Sequence, residues 1–258
     1  MKEIQYLKNC NSFEHFISLG HCCHIGIELE QMGLRDSSMP FDWVRTRWWA
    51  IENSFNKKFE GYLNYEDLHQ KKDGLHCYKN LQYGVGFFHD FVDYKSLKSQ
   101  ITDVQKKYQR RIERFFSHIV EPTLFIRYMW DYDELVYVSS HYAEIEQMTK
   151  TYNPNNEIIF ITHDVPAADL DVSSIKLLFF IDKDDESELN ERPISSNEEL
   201  YLFLSTVEYI KREKNIQFNE EKAAQKVEQS KKLVSRLKKK YKKLFLSKRK
   251  KYIHNKQC

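Results

Sequence analysis

The sequence of 258 residues contains little glycine and proline, with 7 and 5 residues respectively. It also lacks any uncharged apolar run near the ~18 residues that a membrane helix needs. The scarcity of turn-forming residues excludes collagen-like and low-complexity chains. Hydrophobic residues make up 41% and aromatic residues 14%, which is enough for a core and excludes wholesale disorder. The length predicts one large domain, or one domain with an appendage.

Cysteine is sparse and irregularly placed. The five cysteines are Cys10, Cys22, Cys23, Cys77 and Cys258. An odd number with one adjacent pair does not form a disulfide framework and indicates a reducing compartment. The first residues lack the apolar stretch of a secretory signal. We therefore expect a cytoplasmic protein, and a peripheral contact with a membrane is left open.

The net charge of +2 conceals an asymmetry along the chain. Residues 231–258 hold 13 Lys and Arg and no acid, whereas residues 1–230 hold 27 basic and 38 acidic residues. Apolar residues at helical spacing predict a basic amphipathic helix over residues 219–258. This tail either contacts an anionic membrane or nucleic-acid surface, mainly through residues 231–258, or docks on the acidic body or a second copy. Sequence-specific nucleic-acid binding is not expected, because no base-reading module accompanies the tail.

Apolar strands that alternate with helices predict the fold of the remaining chain. The predicted strands lie near residue 17 and over residues 123–127, 157–161 and 175–181. The predicted helices cover residues 22–32, 47–59, 94–119, 133–152 and 197–211. Residues 61–83 have no clear period, and we expect them to be irregular. The pattern indicates an α/β domain over residues 1–215, with a mostly parallel sheet flanked by helices, followed by the basic helical extension.

A cysteine pair lies where the first predicted strand gives way to a helix. Amide groups and the helix dipole at such a position favour the thiolate, which is the nucleophilic form of cysteine. Helical phase puts Cys22 on the core face with Ile25 and Leu29, and puts Cys23 about 100° away. Cys23 is therefore the candidate nucleophile, and a buried structural cysteine is the alternative of about equal weight.

A cysteine nucleophile requires a base, which is normally a histidine brought close by the fold. His89 is the candidate, because it ends an aromatic, glycine-containing segment and an acid follows it; His24 is a weaker one. Asp90 and Asp42 are the candidates for orienting the imidazole. No metal is expected, since the four consecutive ligand types at residues 21–24 radiate apart, and no cofactor is expected.

Four arginines form a candidate anion-binding group. Arg110, Arg111 and Arg114 recur at helical spacing, so their guanidinium groups can share a helix face and match phosphate or carboxylate geometry. Arg127 ends a predicted strand, where open α/β sheets bind ligands. Salt bridges with the acidic body are the alternative for Arg110 and Arg111.

Several motifs together resemble one known family. These motifs are Ser18-Leu19-Gly20-x-x-Cys23, Pro40-Phe41-Asp42-Trp43, His89-Asp90-Phe91 and Tyr108-x-Arg110-Arg111-x-x-Arg114-Phe115. In this order they resemble the uncharacterised domain family described as putative papain-like cysteine peptidases, over about residues 16–127. The resemblance implies that Cys23 is the nucleophile, that His89 is the base, and that Asp90 or Asp42 orients it.

The sequence thus predicts a cysteine-dependent hydrolase or acyltransferase acting on a peptide, amide or ester. The first alternative is a transferase of glycan metabolism, in which the arginines bind a phosphorylated or sugar-nucleotide ligand. The second is a non-catalytic adaptor that acts through its basic tail.

Overall fold

The computed structural model describes residues 2–10, 12–70, 77–182, 191–209 and 215–231. Two compact units make up the chain, residues 1–212 and residues 213–258. In the second unit the described residues, 215–231, are helical. The rest of the predicted basic tail, including the lysine-rich segment, lies outside the described residues.

The first unit contains both helices and strands. In chain order its elements are α1 (Lys2–Asn9), β1 (His15–Ser18), α2 (His24–Gln31), β2 (Val44–Thr46), α3 (Trp48–Asn56), a 3-10 turn (Tyr65–Asp67), β3 (Leu68–Gln70), β4 (Tyr78–Asn80), β5 (Val85–Phe87), α4 (Leu97–His118), β6 (Thr123–Tyr128), α5 (Tyr132–Ser140), α6 (Tyr142–Lys150), β7 (Glu157–Thr162), β8 (Leu178–Phe180) and α7 (Glu198–Thr206).

A parallel sheet in the order β1-β6-β7-β8 organises this unit. All three strand pairs are parallel. Every residue of β6 and β7 is buried, which is the pattern of strands covered on both faces. The predicted α/β class and parallel sheet are confirmed.

Alternate side chains of β6 contribute to two apolar cores, one on each face of the sheet. Ile126 belongs to the cluster that contains Ile25 of α2. Phe125 belongs to the other cluster, where its ring lies 6.3 Å from that of Phe55 in α3 and 6.4 Å from that of Phe115 in α4. The period of two along a strand explains why neighbours in sequence reach opposite cores.

A second sheet, which is antiparallel with the order β2-β5-β4-β3, was not predicted. The prediction that residues 61–83 are irregular is wrong in part, because they include β3 and β4. Each strand has three residues, too few to show a period of two in the sequence. Arg45 of β2 pairs with Gly86 of β5, and this register determines what surrounds the candidate site.

Two predicted elements differ in length from the observed ones. The helix predicted over residues 133–152 is divided into α5 and α6 at His141, whose φ of −123° is not helical. The strand predicted over residues 175–181 is limited to the three residues of β8.

Among the described residues, no helix combines the length and the apolar character needed to span a bilayer.

Candidate active site

The carboxyl end of β1 leads into α2 through a tight turn. The turn includes Gly20, whose φ of +80° is accessible to glycine at little cost. Cys23 is the N-cap residue of α2, and its carbonyl accepts a hydrogen bond from the amide of Ile27 at 2.9 Å. The cysteine therefore stands between the end of a parallel strand and the first turn of a helix.

The Gly20 turn is closely packed as well as left-handed. A Cβ atom at this position would lie 2.7 Å from Oγ1 of Thr46 and 3.2 Å from Nη1 of Arg127. Gly61 has a similar φ of +76°, but its nearest atom, in Tyr83, would be 3.9 Å from the added Cβ. An alanine at Gly20 would therefore meet both backbone strain and a steric clash, whereas an alanine at Gly61 would meet backbone strain alone.

We expect Gly20→Ala to lower the free energy of unfolding by about 2–4 kcal/mol, from left-handed strain and overpacking together. Gly61→Ala, the matched control, should lose only about 1–2 kcal/mol, since it carries the strain alone. Urea denaturation of both variants measures the difference. Equal losses would contradict the packing described around Gly20.

The two adjacent cysteines occupy different environments. Cys22 is buried in an apolar cluster, and burial raises the pKa of its thiol to about 11. Cys23 is half-buried, and burial raises its pKa, although its own backbone amide and Arg45 act in the opposite direction. The expectation that this position favours the thiolate is therefore not met, because burial outweighs the amide. This arrangement agrees with the helical phase that separates Cys22 from Cys23, and it leaves Cys23 as the thiol that a substrate can approach.

The pH dependence of alkylation at Cys23 follows from these shifts. Because burial raises the pKa, we expect the iodoacetamide rate to reach half its maximum above the ordinary thiol value of about 8.5. Arg45→Ala removes a cation that lowers this pKa, so its midpoint should move to still higher pH. Peptide mapping across a pH series measures both midpoints; a downward shift in the variant would contradict the geometry.

Arg45 is a site residue that sequence reasoning missed. Its side chain is exposed, and its guanidinium carbon lies 4.6 Å from the ring centroid of Phe88 and 6.0 Å from that of Trp130. Within the described ranges it makes no hydrogen bond and no ion pair. Only the β2–β5 register brings Arg45 to this place, so no local sequence signal could have found it.

His21 lies against Trp130, whose ring also faces Arg45. It is fully buried and stacks on Trp130 at 4.3 Å and on Tyr128 at 5.5 Å between ring centroids. Neither ring nitrogen has a hydrogen-bond partner among the described residues. Burial, assisted by the Arg127 charge, lowers its pKa to about 2. His21 is therefore neutral at physiological pH and is not positioned by any polar partner.

His89 lies two residues after the end of β5. It is exposed, and its ring meets that of Trp43 edge-on at 6.1 Å. In the part of the chain that the structure describes, it forms no hydrogen bond with Cys23, Asp42 or Asp90. The predicted Cys-His-Asp set is therefore not assembled by direct contacts in this conformation.

The two candidate acids are engaged elsewhere. Asp90 forms an ion pair with Lys107 and accepts a hydrogen bond from the Tyr108 hydroxyl at 2.9 Å. Asp42 is fully buried and accepts hydrogen bonds from Arg35 at 2.6 Å and from the Met39 amide at 2.9 Å. Neither acid orients His89 in this conformation.

The buried Asp42 is close to the helix that begins at Cys23. Burial raises the pKa of Asp42, although Arg35 lowers it, and its Oδ1 atom has no hydrogen-bond partner in the described ranges. A Cβ added at Gly26 of α2 would lie 3.2 Å from Cγ of Asp42. Of the two acids, Asp42 is thus the one packed against α2, one helical turn from Cys23.

The three predicted anion-binding arginines of α4 make different contacts. Arg110 is exposed, Arg111 lies over the Tyr108 ring at 4.9 Å, and Arg114 donates to the Ser38 carbonyl at 2.6 Å. The three share α4 but have different partners. This geometry favours structural roles for Arg111 and Arg114.

Arg127 is fully buried in a network of hydrogen bonds. Its Nε and Nη2 atoms donate to the Glu134 carboxylate at 2.7 and 2.9 Å. Nη1 donates to the Leu19 carbonyl at 2.9 Å and to Oγ1 of Thr46 at 3.0 Å, and Nη2 donates to the Thr46 carbonyl at 2.7 Å. A guanidinium group has five N–H donors, so none is left for a ligand. Arg127 instead ties the Gly20 turn to β2 and α5.

A further histidine lies at the same end of the parallel sheet. His163 follows β7, and its Nδ1 is 3.0 Å from the Tyr128 hydroxyl, while its Nε2 is 3.8 Å from Oδ2 of Asp164. The position after a buried strand was a signal that sequence reasoning did not use. Among the described residues, no three His, Cys, Asp or Glu side chains are grouped so as to hold a metal ion.

Comparison with known proteins places this site inside one family. Residues 14–165 match the model of the family described as "putative papain-like cysteine peptidase". An uncharacterised protein of Acanthamoeba polyphaga mimivirus is 30% identical over 123 residues, which are 40% of this chain and 55% of that protein. The match thus spans about half the length of that relative. No solved structure matches the chain.

Proposed function

Because the chain belongs to the family described as putative papain-like cysteine peptidases, we propose that it is a cysteine-dependent hydrolase of an amide or ester, with Cys23 as the nucleophile. The observation that carries the proposal is the position of a half-buried thiol at the first turn of α2, directly after a parallel strand. The carboxyl ends of parallel strands are the usual position of active sites in α/β proteins. All proposed site residues lie within the residues that match the family.

In the proposed reaction the base accepts the proton of the Cys23 thiol, and the resulting thiolate attacks the substrate carbonyl carbon. A C–S bond forms, and the carbonyl electron pair moves to oxygen, which the first amides of α2 can stabilise because they lack intrahelical acceptors. When the carbonyl re-forms, the amine or alcohol leaves and takes a proton from the base. Water then cleaves the thioester, which returns the thiol and releases a carboxylic acid. Transfer to another nucleophile at this last step would make the same site an acyltransferase.

His89 is the base that we propose. Trp43, whose ring meets that of His89 at 6.1 Å between centroids, is two residues before Arg45. The Arg45 charge in turn acts on the Cys23 thiol. These two observations support a position of His89 on the side from which a substrate would approach Cys23. Catalytic hydrogen bonds are often long in free enzymes and shorten when substrate binds, so we propose that His89 reaches the thiol in the substrate complex.

The orienting acid in this proposal is Asp42 and not Asp90. Both oxygens of Asp90 are held by residues of α4, whereas Oδ1 of Asp42 has no hydrogen-bond partner in the described ranges. The transferase alternative depends most on Arg127, which uses all its N–H donors within the protein. The adaptor alternative depends on the tail, most of which lies outside the described residues.

An ester and peptide hydrolysis assay tests the proposal. The wild-type protein should release product, and His89→Gln should lower kcat/KM by about 10²–10⁴-fold, the usual contribution of a general base. His24→Gln is the matched control, since His24 adjoins Cys23 in sequence, and its loss should stay below about tenfold. The reverse order would assign the base to His24. Hydrolysis that continues after full alkylation of Cys23 would overturn the proposal.

A further inference from the structure

Arg45 is an exposed cation whose side chain forms no ion pair with any described residue. The contrast with its neighbour on the chain is direct, because Arg47 pairs with Asp131 at 2.7 Å. Arg45 makes no ion pair with any residue that the structure describes, although residues 1–230 hold 38 acidic residues against 27 basic ones. Its position therefore keeps it available for an anion from outside the protein.

Two aromatic rings determine how the Arg45 guanidinium is presented. The group lies 4.6 Å from the Phe88 ring centroid and 6.0 Å from that of Trp130. Contact with an aromatic face occupies the flat side of a guanidinium and leaves its N–H edge free. That edge matches a carboxylate with two parallel hydrogen bonds. Gly86 permits this arrangement, since a Cβ there would lie 2.8 Å from Cε2 of Phe88.

The guanidinium also lies close to the turn that carries the proposed nucleophile. The amide of Thr46, next to Arg45 in β2, donates a hydrogen bond to the His21 carbonyl at 3.3 Å, two residues before Cys23. The Arg45 charge acts to lower the pKa of the Cys23 thiol. Trp130 connects the two sides, because it stacks on His21 and also faces Arg45. A ligand held by Arg45 would thus lie near the turn that carries Cys23. His21, whose ring nitrogens have no hydrogen-bond partner among the described residues, lies against Trp130.

We propose that Arg45 binds a carboxylate of the substrate and thereby selects acidic acyl substrates for attack by Cys23. This inference deepens the proposed function and rests on it for the role of Cys23. The carboxylate comes either from the free C-terminus of a peptide or from an acidic side chain near the bond that is cleaved. Arg45 acts by binding, and the chemistry remains with Cys23.

Competition between two alkylating reagents tests the proximity of the positive charge to the thiol. Iodoacetate carries a carboxylate and iodoacetamide does not, while both react with the same thiolate, so a change in the Cys23 pKa cancels in the ratio of their rates. Arg45→Ala should lower the iodoacetate-to-iodoacetamide ratio at Cys23 by about 3–5-fold, the upper end of the range for one exposed charge pair. Arg45→Lys should keep most of the ratio.

Lys79→Ala is the matched control for the loss of one positive charge. Lys79 is exposed and pairs with Gly86 from the opposite side, two strands and about 10 Å from Arg45. Its replacement should leave the ratio within about twofold of the wild-type value. An equal fall in the Lys79 and Arg45 variants, or no fall in either, would overturn the proposal while leaving Cys23 as a candidate nucleophile.

Calorimetric titration tests carboxylate binding without any reaction at Cys23. The probes are N-acetylglycine, with a terminal carboxylate, N-acetylglutamic acid α-amide, with a side-chain carboxylate, and N-acetylglycinamide, with neither. Wild-type protein should bind at least one of the carboxylates more tightly than the neutral amide, and Arg45→Ala should weaken that binding about fivefold or more. The tighter of the two carboxylates identifies the source. Equal binding of all three probes, or no effect of Arg45→Ala, would refute the carboxylate site even if Cys23 proves unreactive.

Discussion

Cys23→Ala should abolish turnover of an amide or ester substrate while leaving the protein folded. We expect kcat/KM to fall by roughly 10⁴-fold or more, since removal of a nucleophile leaves only binding and oxyanion stabilisation. The fold should survive, because the Cys23 side chain makes no capping hydrogen bond to α2. Its stability should stay within about 0.5 kcal/mol of the wild-type value.

Cys22→Ala is the matched control for this substitution. Cys22 belongs to the apolar core, so its truncation should cost about 1 kcal/mol of stability and leave kcat/KM within about tenfold. The Cys23 substitution should therefore remove activity, and the Cys22 substitution should lower stability. Activity that persists in Cys23→Ala, or that disappears only in Cys22→Ala, would contradict the assignment.

Arg127→Met should produce the largest loss of stability. It removes five hydrogen bonds and leaves the Glu134 carboxylate, which is only 2% exposed, without its cation. Removal of one partner of a buried ion pair costs about 3–5 kcal/mol, since the remaining charge stays unsolvated. Guanidinium chloride unfolding monitored by circular dichroism measures the loss.

The double variant Arg127→Met/Glu134→Gln provides the control. It removes the stranded charge as well, so it should recover part of the stability lost in the single variant. A loss below about 1 kcal/mol in Arg127→Met, together with weaker binding of a phosphorylated ligand, would instead support the anion-binding role predicted from the sequence.

The parallel sheet could be predicted because its central strands carry their own signal. Both β6 and β7 are six residues long and buried throughout, and the sequence shows this as the apolar runs 124–126 and 158–161. The antiparallel sheet has no such signal, since strands of three residues are defined by their partners and not by their own pattern. The division between α5 and α6 was missed because the apolar spacing continues on either side of His141.

In the candidate site, too, the sequence predicted local arrangements but not contacts between distant segments. Helical phase separated Cys22 from Cys23, since both belong to one local turn. The interpretation of Asp90 as a partner of His89 relied on adjacency, whereas its carboxylate is held by Lys107 and Tyr108 of a distant helix. Arg45 could not be found from the sequence, because its neighbours come from β5 and from the segment after β6.

The position of the acyl group during turnover decides whether Cys23 is the nucleophile. A slow ester substrate is mixed with the wild-type protein, the reaction is stopped with acid during the steady state, and the acylated peptide is identified by mass spectrometry. We expect one acyl group per chain, carried by Cys23 as a thioester that disappears when the substrate is exhausted. Product formation with the acyl group on another residue, or with no acylated protein at any time, would contradict it.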